Sequence, residues 1–318
     1  MRIANNGVKA LGPPMPPARH DQLETMRRSP FRRAPNRNRP LQRPSFVLTE
    51  RDVEIVRQTF RHRFLQPRLI WALLGGSEQN IARRCRGLFD AGYLMRPSDQ
   101  KELRAITHEL IYGITDRGAK LLAMHRELRA AELQWYENNR RISYATMLHH
   151  LETNEVLITL ALATASFGYT LGWHGHHTVP TVRVSGDDGR IAVTIPDAFF
   201  WLQHSRRGQV PHFVEIDRGH VMLSRMRERY EKYFRYWQTG ASAAAGMPNF
   251  RVLTVANSPG RMRSLQRVAS TVGVNERFPV AWRGFLFAQK DFSLDHPHSI
   301  LQRIFHFPTT EPPISLLE

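Results

Sequence analysis

Apolar residues recur at helical spacing from about residue 48 to residue 92 and then change to short extended runs. Ser, Thr and Gly residues stand where helices should begin and end. Three helices followed by a two-stranded ribbon is the order of a winged helix-turn-helix. The predicted elements are a helix capped by Thr49, a helix over residues 66–74, a helix over residues 77–92, and strands near residues 93–95 and 110–114.

A second pattern begins near residue 143, where helical periodicity alternates with runs rich in β-branched and aromatic residues. The order helix, strand, strand, strand, helix, strand, helix predicts an α/β sandwich around a mixed sheet. The predicted helices cover residues 145–167, 223–237 and 258–272, and the predicted strands cover residues 169–173, 191–195, 197–202, 212–217, 251–256 and 285–288.

These patterns divide the chain into four predicted segments. Residues 1–46 are rich in Pro and Arg and poor in aromatics, so they are expected to be a disordered basic arm. They could follow a DNA backbone, or they could be a solvated tail or an over-extended start. Residues 47–118 are the predicted winged helix, residues 119–142 a linker helix or dimerisation element, and residues 143–318 the α/β domain.

Composition narrows the class of partner. The 318 residues carry a formal net charge of +17, almost entirely from arginine, and the sequence pI is about 11.0. This balance is typical of nucleic-acid binding, with an anionic membrane surface as the alternative, although no apolar run approaches the ~20 residues of a spanning helix. A single cysteine and no secretion-like segment predict a cytoplasmic protein without an internal disulfide.

The third predicted helix offers polar and basic side chains on its outward face. Arg and amide side chains form the two-pronged contacts that read bases in the major groove. This face therefore predicts binding to double-stranded DNA, and the alternative is a solvated helix surface. The candidate DNA-binding residues are Gln79, Asn80, Arg83, Arg84 and Arg86.

Carboxylates mark the ends of two neighbouring predicted strands. Side chains alternate along a strand, so Glu215 and Asp217 share one face, and Asp197 can approach them from the adjacent strand. Converging carboxylates repel one another unless a cation lies between them. The pattern predicts a Mg²⁺ site, with Mn²⁺ as a substitute ion and Asp197 and Glu215 as ligands. The alternative is that arginines neutralise the carboxylates without a metal.

Several motifs together resemble known proteins. Pro196-Asp197 and Glu215-x-Asp217, on neighbouring strands after a leading helix, are similar to the PD-(D/E)xK nuclease core. With the winged helix, they resemble the replication-relaxation family over roughly residues 48–290. The matching pieces are Tyr112-Gly-Ile-Thr-Asp-Arg-Gly118, His150-x-x-x-Asn154-Glu155, Pro196-Asp197-Ala198, Phe213-x-Glu215-x-Asp217-Arg218-Gly219, and the basic-aromatic helix from Arg225 to Trp237.

The resemblance implies a restriction-endonuclease-like domain and a role in replication, DNA relaxation or mobilisation of plasmids or mobile elements. Nucleases of this kind place a lysine two residues after the glutamate, where this chain has Asp217. Arg229 or Lys232 could supply that cation, and Glu155 could orient the attacking water.

Two functions follow from this resemblance. One is a metal-dependent endonuclease or nickase. The other is a non-catalytic accessory that positions a relaxase or replication initiator, or acts as a transcriptional regulator. A homodimer is compatible with both.

Overall fold

The computed structural model describes residues 45–98, 100, 109–125, 139–140, 142–176, 178–186, 189–204, 208–309 and 311–318. Residues 1–44 of the predicted arm and residues 126–138 of the predicted linker helix lie outside this set. The chain forms two compact units, which divide between Ile158 and Thr159. We call them the N-terminal unit and the C-terminal unit.

The N-terminal unit contains helices joined by a short antiparallel ribbon. The ribbon pairs Leu94 with Ile114 and Met95 with Gly113. Its elements are α1 (Glu50–His62), α2 (Pro67–Leu74), α3 (Glu78–Asp90), β1 (Leu94–Met95), β2 (Gly113–Ile114), α4 (Asp116–Met124) and α5 (Tyr144–Thr164), the last of which continues into the C-terminal unit.

The predicted helix starts are confirmed, because local side chains satisfy the first free N–H groups. Thr49 accepts a hydrogen bond from the backbone N–H of Asp52, whose carboxylate accepts from the N–H of Thr49 in return. Ser77 caps α3 and Thr115 caps α4 in the same way. After α2, Gly75 and Gly76 adopt positive φ, which lets the chain turn toward α3.

Asn154 connects the first half of α5 to the end of α1. Its side-chain amide donates to the backbone oxygens of His62 at 3.0 Å and Phe64 at 2.8 Å, and its Oδ1 lies 3.0 Å from His62 Nδ1. Met147 and Leu151 pack in the same cluster as Phe64. These contacts explain why α5 as far as Ile158 belongs to the N-terminal unit, although the sequence predicted a boundary near residue 143.

The C-terminal unit is built on a five-stranded sheet. Its elements after α5 are a 3₁₀ turn (Ala165–Phe167), β3 (Thr170–Trp173), β4 (Val182–Ser185), β5 (Ile191–Thr194), β6 (Ala198–His204), β7 (Gly208–Asp217), α6 (Leu223–Gln238), α7 (Ala241–Ala244), β8 (Arg251–Ala256), α8 (Pro259–Ala269), β9 (Phe285–Gln289) and a second 3₁₀ turn (Pro297–Leu301).

The sheet is mixed, as predicted. Its strand order is β3-β6-β7-β8-β9, with antiparallel pairing from β3 to β7 and parallel pairing from β7 to β9. Parallel neighbours require a crossover, which α6 supplies between β7 and β8 and α8 supplies between β8 and β9. The chain is therefore a mixed α/β protein.

One of the predicted strands has its partner outside the main sheet. Residues 191–194 form a strand, but it pairs with Val182–Ser185 in a separate hairpin rather than joining the main sheet. The Gly186–Gly189 turn folds the chain back on itself, and Val182 and Val184 are buried in the cluster around α6. The short alternation of Val182–Ser185 gave too weak a sequence signal for this partner to be identified.

The aromatic side of α6 lies in the core of the C-terminal unit. Tyr230, Tyr233 and Phe234 are buried against the sheet, and Phe213 lies 5.5 Å from Tyr233 between ring centroids. Buried side chains of this size each stabilise the folded state by about 2–3 kcal/mol. Among the described helices, none has the length and apolar character to cross a membrane.

Candidate functional site

The structure brings three predicted carboxylate positions to the adjoining ends of β6 and β7. Asp197 precedes β6, and its Oδ2 accepts a 2.7 Å hydrogen bond from the backbone N–H of Ile216. Its own N–H donates to the oxygen of Val214 at 3.0 Å. Glu215 and Asp217 follow on one face of β7 and are both buried. We call Asp197, Glu215 and Asp217 the carboxylate centre.

Glu215 is enclosed by two side chains of α6. Its side chain is 1% exposed, Oε1 accepts a 2.7 Å hydrogen bond from the Tyr233 hydroxyl, and Oε2 contacts the guanidinium of Arg229. Arg229 and Tyr233 are four residues apart, so both project from one face of the helix. The contact with Arg229 realises the predicted pairing of this carboxylate with a nearby arginine.

Burial dominates the electrostatics of Glu215. Removal from water, followed by the nearby charge of Asp197, raises its pKa from 4.5 to about 8, against the opposing effects of Arg229 and Tyr233. Burial and the adjacent glutamate also raise the pKa of Tyr233 well above its ordinary value. Burial therefore favours the neutral form of Glu215, whereas Arg229 and Tyr233 favour the ionised form.

Asp217 makes a two-pronged ion pair with Arg261, which lies in the first turn of α8. Its Oδ1 lies 2.8 Å from Arg261 Nε and its Oδ2 lies 2.8 Å from Arg261 Nη2. Oδ1 also accepts a 2.8 Å hydrogen bond from the N–H of Gly219, which adopts a φ of 84°. Arg261 in turn donates to the backbone oxygen of Val221. Asp217 therefore shapes the loop between β7 and α6.

In this arrangement, arginine side chains contact the oxygens of Glu215 and Asp217 that a Mg²⁺ ion would use. Mg²⁺ requires near-octahedral oxygen ligands, and it is not compatible with guanidinium groups placed at the same oxygens. Arg229 and Tyr233 occupy the two oxygens of Glu215, and Arg261 occupies both oxygens of Asp217. Within the part of the chain that the structure describes, no group of three or more His, Cys, Asp or Glu side chains could hold a metal ion.

The other two predicted catalytic residues lie elsewhere. Lys232 is half-buried on α6, and its Nζ donates to the backbone oxygen of Val193 on the hairpin strand β5 at 3.4 Å. Glu155 is half-buried on α5 within the N-terminal unit. The catalytic roles predicted for Lys232 and Glu155 stay predictions.

The five predicted DNA-binding residues of α3 fall into two groups. Gln79, Asn80 and Arg83 are exposed, and Arg83 donates to Asn80 Oδ1 at 3.2 Å. Arg84 instead contacts the buried carboxylate of Asp52, at 2.7 Å from its Nε to Oδ1. Arg86 pairs with Asp90, whose two oxygens lie 3.0 and 2.9 Å from the arginine Nε.

Sequence reasoning missed several partners of these residues. Arg261 follows Asp217 by 44 residues, and no local pattern connects the two. Tyr233 is a buried aromatic of the core, and its hydroxyl also contacts Glu215. Asp52 carried a usable signal, because an acidic residue three positions after Thr49 is typical of a capping box.

The fold and the site define a mixed α/β protein of two units, with an arginine-paired carboxylate centre on its mixed sheet. A family model described as replication-relaxation matches residues 59–249, more than half of the chain. The chain belongs to the replication-relaxation family. No curated protein and no solved structure matches it.

Proposed function

We propose that the chain is a double-stranded-DNA-binding accessory protein that acts in replication or relaxation of a plasmid or mobile element without cutting DNA. The N-terminal unit would be a winged helix-turn-helix that reads the major groove. The C-terminal unit would be a restriction-endonuclease-like domain that has kept its fold without metal-dependent hydrolysis. A relaxase or a replication initiator at an origin would be its partner.

The exposed start of α3 carries the proposal. Gln79, Asn80 and Arg83 lie in the first two turns of this helix and face solvent. The N-terminal residues of a recognition helix are the ones that contact base edges. Amide side chains pair with adenine and arginine pairs with guanine, each worth about 1–3 kcal/mol of discrimination between bases. The formal net charge of +17 supports association with a polyanion.

The ribbon and the helices around α3 support the winged-helix interpretation. β1 follows α3 and pairs with β2, and Leu65, between α1 and α2, bridges to Tyr112 beside β2. Gly118 in α4 lies so close to the backbone oxygen of Tyr93 that an added Cβ would stand 2.5 Å from it. These contacts hold the ribbon against the helices, as presentation of α3 to a groove requires.

The non-catalytic part of the proposal comes from the arginines at the carboxylate centre. Asp217 stands where a nuclease of this resemblance would have lysine, and Arg229 could supply the missing cation, but a guanidinium stays charged and is a poor proton donor or acceptor. Arg261 holds Asp217 by two hydrogen bonds. Both arginines therefore favour a structural role for the carboxylates that they contact.

The proposal is tested by binding to a fluorescein-labelled 30-base-pair random-sequence duplex and to duplexes selected from that pool. We expect tight, salt-dependent binding, and we expect Arg83→Ala to weaken binding to a selected duplex about 5- to 100-fold. The matched control is Arg267→Ala, which removes an exposed arginine from α8 of the C-terminal unit. Equal losses from both variants, or a wild type that does not bind duplex DNA, would overturn the proposal.

A further inference from the structure

Arg84 on α3 is held by the start of α1. Its Nε lies 2.7 Å from Asp52 Oδ1, and its Nη2 contacts Asp52 Oδ2 and donates to the backbone oxygen of Val47 at 3.1 Å. The guanidinium also lies over the ring of Phe46, 4.4 Å from the centroid. The Arg84 side chain is 30% exposed, whereas Asp52 is fully buried. The guanidinium of Arg84 is thus held by Asp52 and by the segment before α1, while part of the side chain remains exposed.

Asp52 serves two helices at once. Its Oδ2 accepts hydrogen bonds from the backbone N–H of Thr49 at 2.8 Å and from the Thr49 hydroxyl at 2.7 Å, which completes the cap of α1. Burial alone would raise the pKa of Asp52, but hydrogen bonds from Arg84 and Thr49 more than offset burial and lower it. A buried carboxylate that needs both partners ties the start of α1 to the middle of α3.

Phe46 adds a second contact to the same region of α3. An added Cβ on Gly87 would lie 2.5 Å from the Phe46 ring, so this aromatic residue covers the helix where glycine leaves room. The chain that leads into α1 therefore lies against α3 at Phe46 and at Val47, whose oxygen accepts from Arg84.

We propose that Asp52 and Arg84 form a clamp that fixes the position of α3 for DNA recognition, so that Arg84 is a positioning residue and not a DNA contact. The inference rests on the proposed function of α3. Arg83 and Arg84 are adjacent in sequence, but adjacent helix positions point in different directions. Arg83 faces solvent with Gln79 and Asn80, whereas the guanidinium of Arg84 is committed to Asp52. The clamp aligns the outward residues because two-pronged base contacts tolerate little displacement.

For the Asp52→Asn variant, two explanations predict opposite changes in affinity for DNA. If Asp52 influenced DNA only through its charge, removal of a negative charge would strengthen binding to a polyanion. The clamp predicts weaker binding, by about tenfold, because a displaced α3 loses the equivalent of one well-aligned base contact. Asp52 is fully buried and does not itself reach DNA.

Arg84→Ala and Arg84→Lys complete the experiment. We expect Arg84→Ala to weaken binding to a selected duplex about tenfold without changing its salt dependence. Loss of a direct phosphate contact would instead lower the slope of log affinity against log salt concentration by about one. The Asp52→Asn/Arg84→Ala double variant should bind no more weakly than either single variant, since both break one interaction. Arg84→Lys keeps the charge but not the two-pronged geometry, and it should bind as weakly as Arg84→Ala.

The melting temperature of each variant is measured first, and its affinity for DNA is then measured at a temperature where the variant remains folded. If Arg84→Ala does not fold, Arg84→Lys and Asp52→Asn carry the test. The clamp is overturned if Asp52→Asn binds as well as or better than wild type, or if Arg84→Lys binds like wild type. It is also overturned if the variants melt earlier but keep full affinity. Failure of the proposed function is distinct, because then Arg83→Ala would leave binding unchanged.

Discussion

Replacement of Glu215 with glutamine tests the charge state of the carboxylate centre. Burial raises the pKa of Glu215 to about 8 in the folded protein, from an ordinary value of 4.5. Between these values the folded protein holds a proton that the unfolded chain has released. Stability from this group is therefore complete below about pH 4.5 and is lost as the pH rises toward 8. Glutamine is nearly isosteric and does not titrate, so Glu215→Gln should remove this dependence.

The size of this change in the free energy of unfolding follows from the difference between the folded and unfolded pKa of Glu215. Each unit corresponds to about 1.4 kcal/mol, so wild type should lose up to about 5 kcal/mol relative to Glu215→Gln across the window. The side chain is 1% exposed, so solvent screens this effect little. Arg229 is more open, with a side chain 36% exposed, and we expect water there to reduce the observed loss.

The assay is urea unfolding of both proteins between pH 4.5 and pH 9, followed by tryptophan fluorescence. The histidines and other carboxylates titrate in both proteins, so their contributions cancel in the difference. Glu228→Gln is the matched control, because Glu228 is exposed on the same helix and should give a flat difference. If the difference in unfolding free energy between wild type and Glu215→Gln is independent of pH, or shifts in favour of wild type as the pH rises, then Glu215 is an ionised partner of Arg229 and its pKa is not raised.

Three further predictions concern particular contacts. Asp217→Asn weakens the paired hydrogen bonds from Arg261, and urea unfolding should show that it destabilises the C-terminal unit by about 3 kcal/mol. A variant as stable as wild type would contradict the role of this pair. Burial raises the pKa of the Cys85 thiol to about 12, so thiol reagents should label it only after unfolding, and rapid labelling of native protein would contradict its burial. Gly172→Ala places a Cβ 2.0 Å from the Trp201 indole, so we expect the variant to lose about 1–3 kcal/mol of stability and to melt at a lower temperature. An unchanged melting temperature would show that the indole moves freely.

The helices of the N-terminal unit were predictable because their signals are local. The Thr49 and Ser77 caps lie directly before the helices that they begin, and the buried residues Ile81 and Cys85 stand four positions apart on α3, as helical spacing requires. Spacing also separates outward from inward positions on α3. It does not reveal that Arg84 meets Asp52, because that contact joins residues 32 positions apart and depends on how two helices pack.

The carboxylate centre was predictable in part for the same reason. The two-residue period of a strand places Glu215 and Asp217 on one face, and the structure has them there. Arg229 was a candidate cation from its place on α6. Arg261 was not, since its approach to Asp217 requires the parallel pairing of β7 with β8 and the crossover that follows. Long-range pairing of this kind leaves no periodic trace in the sequence.

DNA binding without cleavage is tested most directly by incubation of supercoiled plasmid with the protein in Mg²⁺ or Mn²⁺, with retardation and nicking read from one gel. We expect wild type to retard the plasmid and leave it supercoiled. We expect the same of the Asp197→Ala and Glu215→Ala variants, provided that they remain folded. Metal-dependent nicking by wild type that is lost in both variants would show instead that the carboxylates hold a catalytic ion.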